Sequence, residues 1–327
     1  MLIYFEEIKL LVLEAINLST SYFINPEKRI YILYLFTSLI LSFYVYNRGK
    51  YKKESFLKFI FNKKVWLSKS SIIDYLFFFF NSLIKILFIA PYIYFSFVLA
   101  FYTTDTLEQS FGFYQNNSSQ IVIIISYTVC LTIVNDFFSY ILHYLMHHNR
   151  ILWEFHKIHH AATTLNPITQ YRIHPIELVI NNLRSIFVFG IVTGIFDYFS
   201  SQEINKLLFL GVNFFSFLFY LFGANLRHSH IKLSYPKFFE RIFISPYQHQ
   251  IHHSINKKHY NKNMGSKLAI WDWMFGTLVF SGKMKSIRYG IKDTQHNYQG
   301  FWYNIFKPFI ESKNIIFSYF NSSKKNQ

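Results

Sequence analysis

Apolar residues in this chain gather into long runs separated by short polar and basic stretches, and the runs predict helices of membrane length. Residues 1–25 can form an amphipathic helix with Leu10, Leu11, Leu13 and Ile16 on one side, lying on a bilayer or on the domain. Residues 30–47 are uncharged and just long enough to span. Residues 48–70 then carry Arg48, Lys50, Lys52, Lys53, Lys58, Lys63, Lys64 and Lys69, a cytoplasmic signature by the positive-inside rule. Residues 73–104 are apolar except for Asp74 and Lys85. As one helix they would reach roughly 45 Å, more than a bilayer core needs, so a kink is expected at Pro91. The stretch 103–120 has no Lys or Arg and reads as the loop on the far side. Residues 121–146 cross back. Residues 176–199 and 205–226 form a second apolar pair around the turn DYFSSQEINK, either spanning or re-entrant, the first of them holding Arg184. From Arg227 onward the chain is basic and has no spanning run.

The expected fold is therefore all-α: an integral membrane helical bundle of about four spanning or re-entrant helices, with a cytoplasmic helical cap. Composition changes this little. The hydrophobic share of 52% is near that of a soluble protein, and the 40 Phe and 25 Tyr suit a lipid-facing surface but also an AT-rich genome. The formal charge of +16 points to an anionic surface. The bilayer is preferred over nucleic acid, because the basic residues flank apolar runs and no nucleic-acid motif is visible. The single cysteine, Cys130, excludes an internal disulfide framework and a Cys-based zinc site. The N-terminus, interrupted by Glu6, Glu7 and Glu14, is not expected to be a cleavable signal peptide.

Histidine supplies the candidate chemistry. It clusters as His143-x3-His147-His148, His156-x2-His159-His160, His228-x-His230 and His249-x2-His252-His253, all on the predicted cytoplasmic side. At spacings of three and four, imidazoles project from one helix face and can converge on an ion. Asp136, Tyr140, His143 and His147 share one such face, and Asp136 is placed to orient an imidazole by accepting its other N–H. So many imidazoles exceed one tetrahedral zinc and suggest two metals.

The segments HYLMH, HKIHH, NPITQYRIHPIE, NLRHSHIKLSYP, SPYQHQIHHS and NKNMGSKLAIWDWMFGT, in this order from about Asp136 to Thr277, resemble the sterol desaturase and fatty acid hydroxylase superfamily. The resemblance implies a membrane-embedded helical fold with a cytoplasmic histidine-bound di-iron centre that uses O2 on lipid C–H bonds. It implies His143, His147, His156, His159, His160, His228, His249, His252 and His253 as ligands, with His174 a further candidate. It sets His148 and His230 aside. Asn263, Gly265, Trp271, Asp272, Gly276 and Thr277 fit the closing motif, read as a cover on the site. The organisation implied is an N-terminal membrane region at 1–120, a catalytic domain at 121–280 and a basic C-terminal tail at 281–327.

An unactivated C–H bond needs a strong oxidant, which metal-activated O2 provides. Two ferrous ions, O2 as co-substrate and a membrane lipid substrate are the expected participants. No dinucleotide or flavin fingerprint is present, so electrons are expected from a separate ferredoxin, cytochrome b5-like protein or reductase. Hydroxylation is the first reading; desaturation or ether-lipid monooxygenation uses the same site. A histidine-rich metal transporter, a bis-histidine haem protein and a non-catalytic lipid-binding relative are the competing classes.

Overall fold

Without water to satisfy them, backbone amides in a long apolar run bond within the run, and here such runs are helices. The computed structural model describes residues 2–49, 54–115, 118–200, 205–209, 212–282, 287–291 and 300–325. Lys50, Lys52 and Lys53 of the expected basic stretch, the tip of the polar turn at 201–204 and much of 281–299 lie outside the described residues. The principal helices are α1 (Leu2–Ser21), α2 (Ile32–Arg48), α3 (Lys69–Phe88), α4 (Phe95–Phe111), α5 (Gln120–His148) and α6 (Arg150–His160). They continue as α7 (Pro175–Tyr198), α8 (Phe214–Leu221), α9 (Pro246–His252), α10 (Ile270–Met274) and α11 (Phe301–Lys325). Among the described residues the only paired strands are a minimal antiparallel hairpin, Leu208–Phe209 with Val212–Asn213.

Among the described residues, three segments are long and apolar enough to cross a membrane: Lys69–Phe111, Gln120–His148 and Pro175–Tyr198. The first is broken where expected, by a 3-10 turn at Ala90–Tyr92 that contains Pro91. The apolar run at 30–47 becomes α2, whose 17 residues reach only about 25 Å. It is inside-out: Tyr34, Ser38 and Ser42 are buried, whereas Ile32, Phe36, Ile40 and Phe43 are exposed. The second apolar pair divides. Its first member is the continuous α7. Its second, at 205–226, is no single helix: the hairpin leads into α8, capped by Asn213, and Gly223 at φ 93° turns the chain into a 3-10 segment, Ala224–His228.

α7 is the hub of the bundle, packed on α4 and α5. Gly190 and Gly194, one turn apart, allow the close approach of α4. A Cβ at Gly194 would lie 2.4 Å from the Ala100 carbonyl oxygen and 2.5 Å from Thr103 Cβ. This is small-residue helix packing of the kind membranes favour. Thr104 seals the contact, its hydroxyl lying 3.1 Å from the Gly194 carbonyl and 3.0 Å from the Asp197 carboxylate, either of which can accept its one hydrogen.

The loop between α6 and α7 is held on α3 by buried polar groups. Asp74, fully buried, accepts from Thr169 (2.6 Å) and Asn166 (3.3 Å) and faces the buried Arg172 guanidinium at 3.5 Å. α11 packs on α6 and α3, and its Ile305 joins a core of Ile73, Phe77, Ile158 and Ala161. The buried positions of that helix are Asn304, Ile305, Pro308 and Ser312, spaced along one face, whereas Phe306, Phe309, Ile310, Phe317 and Phe320 are exposed.

Candidate metal centre

Nine imidazoles converge in two groups. His143, His147, His156, His160 and His252 form one; His159, His228, His249 and His253 form the other. Within each group the nearest nitrogens lie within 4.8 Å of one another. The two HxxHH segments cross between the groups. On α6, the i,i+4 pair His156 and His160 serves the five-imidazole group, and His159 serves the other. At α9 the roles are exchanged: His249 and His253 serve the four-imidazole group and His252 the five. Helical geometry explains the division, since i and i+4 stack on one face and the intervening residue is turned aside.

In the five-imidazole group, outer partners hold the rings. His143 Nδ1 donates to the Met264 carbonyl at 2.7 Å, His252 Nδ1 to the Lys262 carbonyl at 2.8 Å, and His156 Nδ1 to Glu177 Oε1 at 2.9 Å. Carbonyls and carboxylates only accept, so all three protons sit on Nδ1 and all three Nε2 atoms carry lone pairs. Yet His143 Nε2 lies 3.1 Å from both His156 Nε2 and His252 Nε2. Lone pairs cannot crowd so closely with no hydrogen between them unless a cation lies among them. The His147 Nε2 atom, buried in the same group, has no hydrogen-bond partner. The donor set thus fits a metal ion.

The four-imidazole group is held differently. His159 Nδ1 faces the Arg172 carbonyl at 3.3 Å, and its Nε2 lies 3.2 Å from His228 Nε2. His228 Nε2 also approaches His249 Nε2 (3.1 Å) and His253 Nε2 (3.2 Å). The Nδ1 atom of His249 accepts from the buried Arg227 guanidinium at 2.9 Å, while His253 Nδ1 has no partner. Burial pushes the His156 and His159 rings down to about 3 and holds His160, His228, His249, His252 and His253 well below the usual imidazole range. All are neutral near pH 7, the form that binds metal.

A backbone strap at 262–268 closes the site and offers the Lys262 and Met264 carbonyls. Asp272 accepts from the Met264 and Gly265 amides at 2.8 and 2.7 Å and from Thr277 Oγ1 at 2.6 Å. Gly265 leaves no room for a side chain: a Cβ would sit 2.4 Å from the Leu268 carbonyl oxygen and 2.8 Å from Asp272. Asp136, expected beside an imidazole, serves the strap instead. It accepts from the Lys267 and Leu268 amides (2.9 and 3.0 Å) and from Trp271 Nε1 at 3.0 Å. Its acceptor oxygens are committed to the strap one turn before the helix reaches Tyr140, so its effect on the rings is indirect.

His174 lies outside both groups. Its Nδ1 caps α7 by accepting from the Ile176 amide, and its Nε2 meets the Ile305 carbonyl at 3.0 Å. His148 stacks on Tyr144, and His230 Nε2 donates to the Phe59 carbonyl, so neither joins the clusters. Sequence reasoning missed Glu177 and Arg227. Glu177 stands in the first turn of α7, where an acid is already explained by the helix N-terminus; only its position in RIHPIE beside a histidine segment hinted at more.

Two cavities open onto the rings. One of about 350 Å³ is lined by His147, Trp153, His160, His252, Tyr260 and Asn261. The other, about 140 Å³, lies between Ser139, His143, Glu177, Arg227 and His249.

Residues 128–277 match the fatty acid hydroxylase family. An ornithine lipid hydroxylase of Rhizobium tropici is 28% identical over 54% of this chain and 48% of its own length. An alkylglycerol monooxygenase of Caenorhabditis elegans is 27% identical over 43% of this chain and 25% of its own. The chain therefore spans about half the length of the first relative and a quarter of the second. No solved structure matches significantly.

Proposed function

We propose that the chain, whose residues 128–277 match the fatty acid hydroxylase family, is a membrane-bound, O2-dependent oxygenase that hydroxylates a C–H bond of a lipid. The observation that carries this reading is the convergence of Nε2 lone pairs from His143, His156 and His252 at 3.1 Å contacts, beside a second group of four imidazoles. Iron bound at the two groups would supply the O2 activation that an unactivated C–H bond requires. Imidazole alone does not select iron over zinc or copper; redox chemistry on lipid does.

The chain's own residues divide the work. The Lys262 and Met264 carbonyls and Glu177 fix three rings in the tautomer that leaves Nε2 free. Asp136 and Asp272 hold the strap in place. The smaller cavity reaches both groups and is the place for the reacting part of the lipid. The larger one opens beside Tyr260 and Asn261, next to the exposed Lys257 and Lys258. That basic rim suits docking of an acidic electron donor, a ferredoxin, cytochrome b5-like protein or reductase.

Metal analysis of protein from iron-replete cells tests the centre: about two irons per chain are expected, with loss on His156→Ala or His252→Ala. Lipid turnover by metal-free protein would sink the reading. Comparing lipids from cells with and without the protein then separates hydroxylation, a gain of one oxygen, from desaturation, a loss of two hydrogens. The alkylglycerol monooxygenase similarity keeps ether-lipid monooxygenation as the second reading. The imidazoles are proposed to lie on the cytoplasmic side. In a Cys130→Ser background, cysteine at Gln115 should react with an impermeant reagent applied outside the cell and cysteine at Lys258 should not; the reverse pattern would invert the topology.

A further inference from the structure

A third cavity, of about 270 Å³, adjoins the metal centre and has a different character. It shares Arg29, Gln170 and Ile173 with the smaller cavity at the imidazoles, so the two chambers are neighbours across a thin wall. Lys28, Arg29 and Lys85 line it. None of the three is in an ion pair among the described residues. The carboxylate in the lining, Glu27, is solvent exposed.

What these cations touch is aromatic. Lys28 Nζ lies 5.2 Å from the Tyr22 ring centroid, Lys85 Nζ lies 5.0 Å from the same ring, and the Arg29 guanidinium lies 5.8 Å from the Tyr220 ring. Lys85 Nζ also donates to the Tyr22 hydroxyl. Ring contacts favour a cation but leave its charge uncompensated, and partial burial makes an uncompensated charge costly. Asn81, in the same lining, gives its amide hydrogens to the Tyr171 and Ile173 carbonyls at 3.0 and 2.9 Å, so its buried, unpartnered Oδ1 can accept only from a donor on a ligand, such as a lipid hydroxyl. The chamber is also built rather than incidental. Asn225 Nδ2 donates to the Arg29 carbonyl at 2.6 Å, tying the loop with Lys28 and Arg29 to the 3-10 segment that ends in His228.

We propose that this chamber binds the oxyanion headgroup, phosphate or carboxylate, of the lipid substrate, so that the enzyme acts on an anionic lipid at a carbon near its headgroup. The proposal rests on the oxygenase reading for what happens to the lipid, but the binding site stands on Lys28, Arg29 and Lys85. A doubly charged phosphate monoester balances most of the three cations. With that end seated here, only Arg29, Gln170 and Ile173 separate it from the chamber at the rings. The bonds brought to the metal centre are then those close to the headgroup, and the acyl chains run outward along the exposed apolar helices.

The test measures binding to the full chain in phosphatidylcholine nanodiscs, with iron content determined on the same samples. The probes are dihexanoyl phosphatidic acid, the uncharged dihexanoylglycerol and inorganic phosphate. The parent protein should bind the phosphatidic acid at least about tenfold more tightly than either of the others. K28Q/R29Q should lose about tenfold for the phosphatidic acid and stay within about twofold for dihexanoylglycerol. K28R should bind like the parent. Lys85→Gln, on a different element, should show the same selective loss should the double variant fail to fold. Equal binding of the charged and uncharged lipids, or variants that bind the phosphatidic acid like the parent, overturns the proposal. Inorganic phosphate binding as tightly as the lipid assigns the site to a free anion and overturns it too. Intact lipid discrimination in a protein without iron would overturn the oxygenase reading and leave this site standing.

Discussion

The two imidazole groups share both HxxHH segments yet are held by different outer partners. Around the five-imidazole group, acceptors face the outer nitrogens: two strap carbonyls and the Glu177 carboxylate, each drawing a proton to Nδ1. In the four-imidazole group, His249 Nδ1 meets a donor, the Arg227 guanidinium. The smaller cavity touches both groups, but the first includes two half-buried rings whereas all four of the second are buried. The difference teaches that a metal centre is specified by its outer partners as much as by its ligands. An acceptor raises ring basicity and fixes the tautomer, whereas a buried cation beside a ligand works against a second positive charge. One group is thus prepared for a cation more strongly than the other.

The largest expected effect comes from breaking the smaller group. His228→Ala leaves three imidazoles there and should abolish lipid oxidation, more than about a hundredfold, with loss of that group's metal. His147→Ala leaves four imidazoles in the larger group and should cost less; iron content and turnover of the two variants side by side measure the asymmetry. Equal losses would mean the groups act as one indivisible unit.

Glu177→Gln sharpens the contrast from the outer partners. It should weaken metal binding in the five-imidazole group by about 10–100-fold and leave the other group unchanged, read by iron titration. Loss from both groups would show that Glu177 supports the whole site.

Acid should act on both groups through the same physics. The His156 and His159 rings titrate at about 3 in the folded chain, against an ordinary 6.5, because burial disfavours their charged form. Below pH 6.5 the unfolded chain takes up protons that the folded one refuses. Stability is therefore full above about 6.5 and falls as pH drops towards 3, at most about 1.4 kcal/mol per pH unit for each ring. Denaturation of metal-free protein at pH 7.5 and 5.5 should show the lower stability at 5.5; no change would contradict the neutral-ring assignment.

Gly194→Val should act on neither group selectively. It forces α4 from α7 at a cost of about 1–3 kcal/mol, visible as a lower melting temperature with unchanged iron content per folded chain.

The sequence made the helices and the histidines legible for the same reason: both are local. The 24-residue α7 and the 29-residue α5 follow from unbroken apolar runs. The break at Pro91 follows from a missing amide hydrogen. The segment 205–226 misled because its apolarity is real but its helix is ended by Asn213 and Gly223 and folded back on α2. α11 was hidden by its lysines, since net charge says little about which face of a helix packs. Asp136 was expected to orient an imidazole, but its partner is the strap, more than a hundred residues away along the chain.

What the sequence determined by itself is the helical spacing within the histidine clusters, because i,i+3 and i,i+4 periodicity is a property of the backbone; the choice of nine imidazoles, with His228 among them, is what the family resemblance implied. Only the tertiary structure decided which ring serves which group, with the two HxxHH segments exchanging roles. It also decided that Glu177 and two strap carbonyls orient the rings while Arg227 opposes one of them. Those choices depend on how α5, α6, α7, α9 and the strap meet in space, and contacts between distant segments leave no periodic mark along the chain.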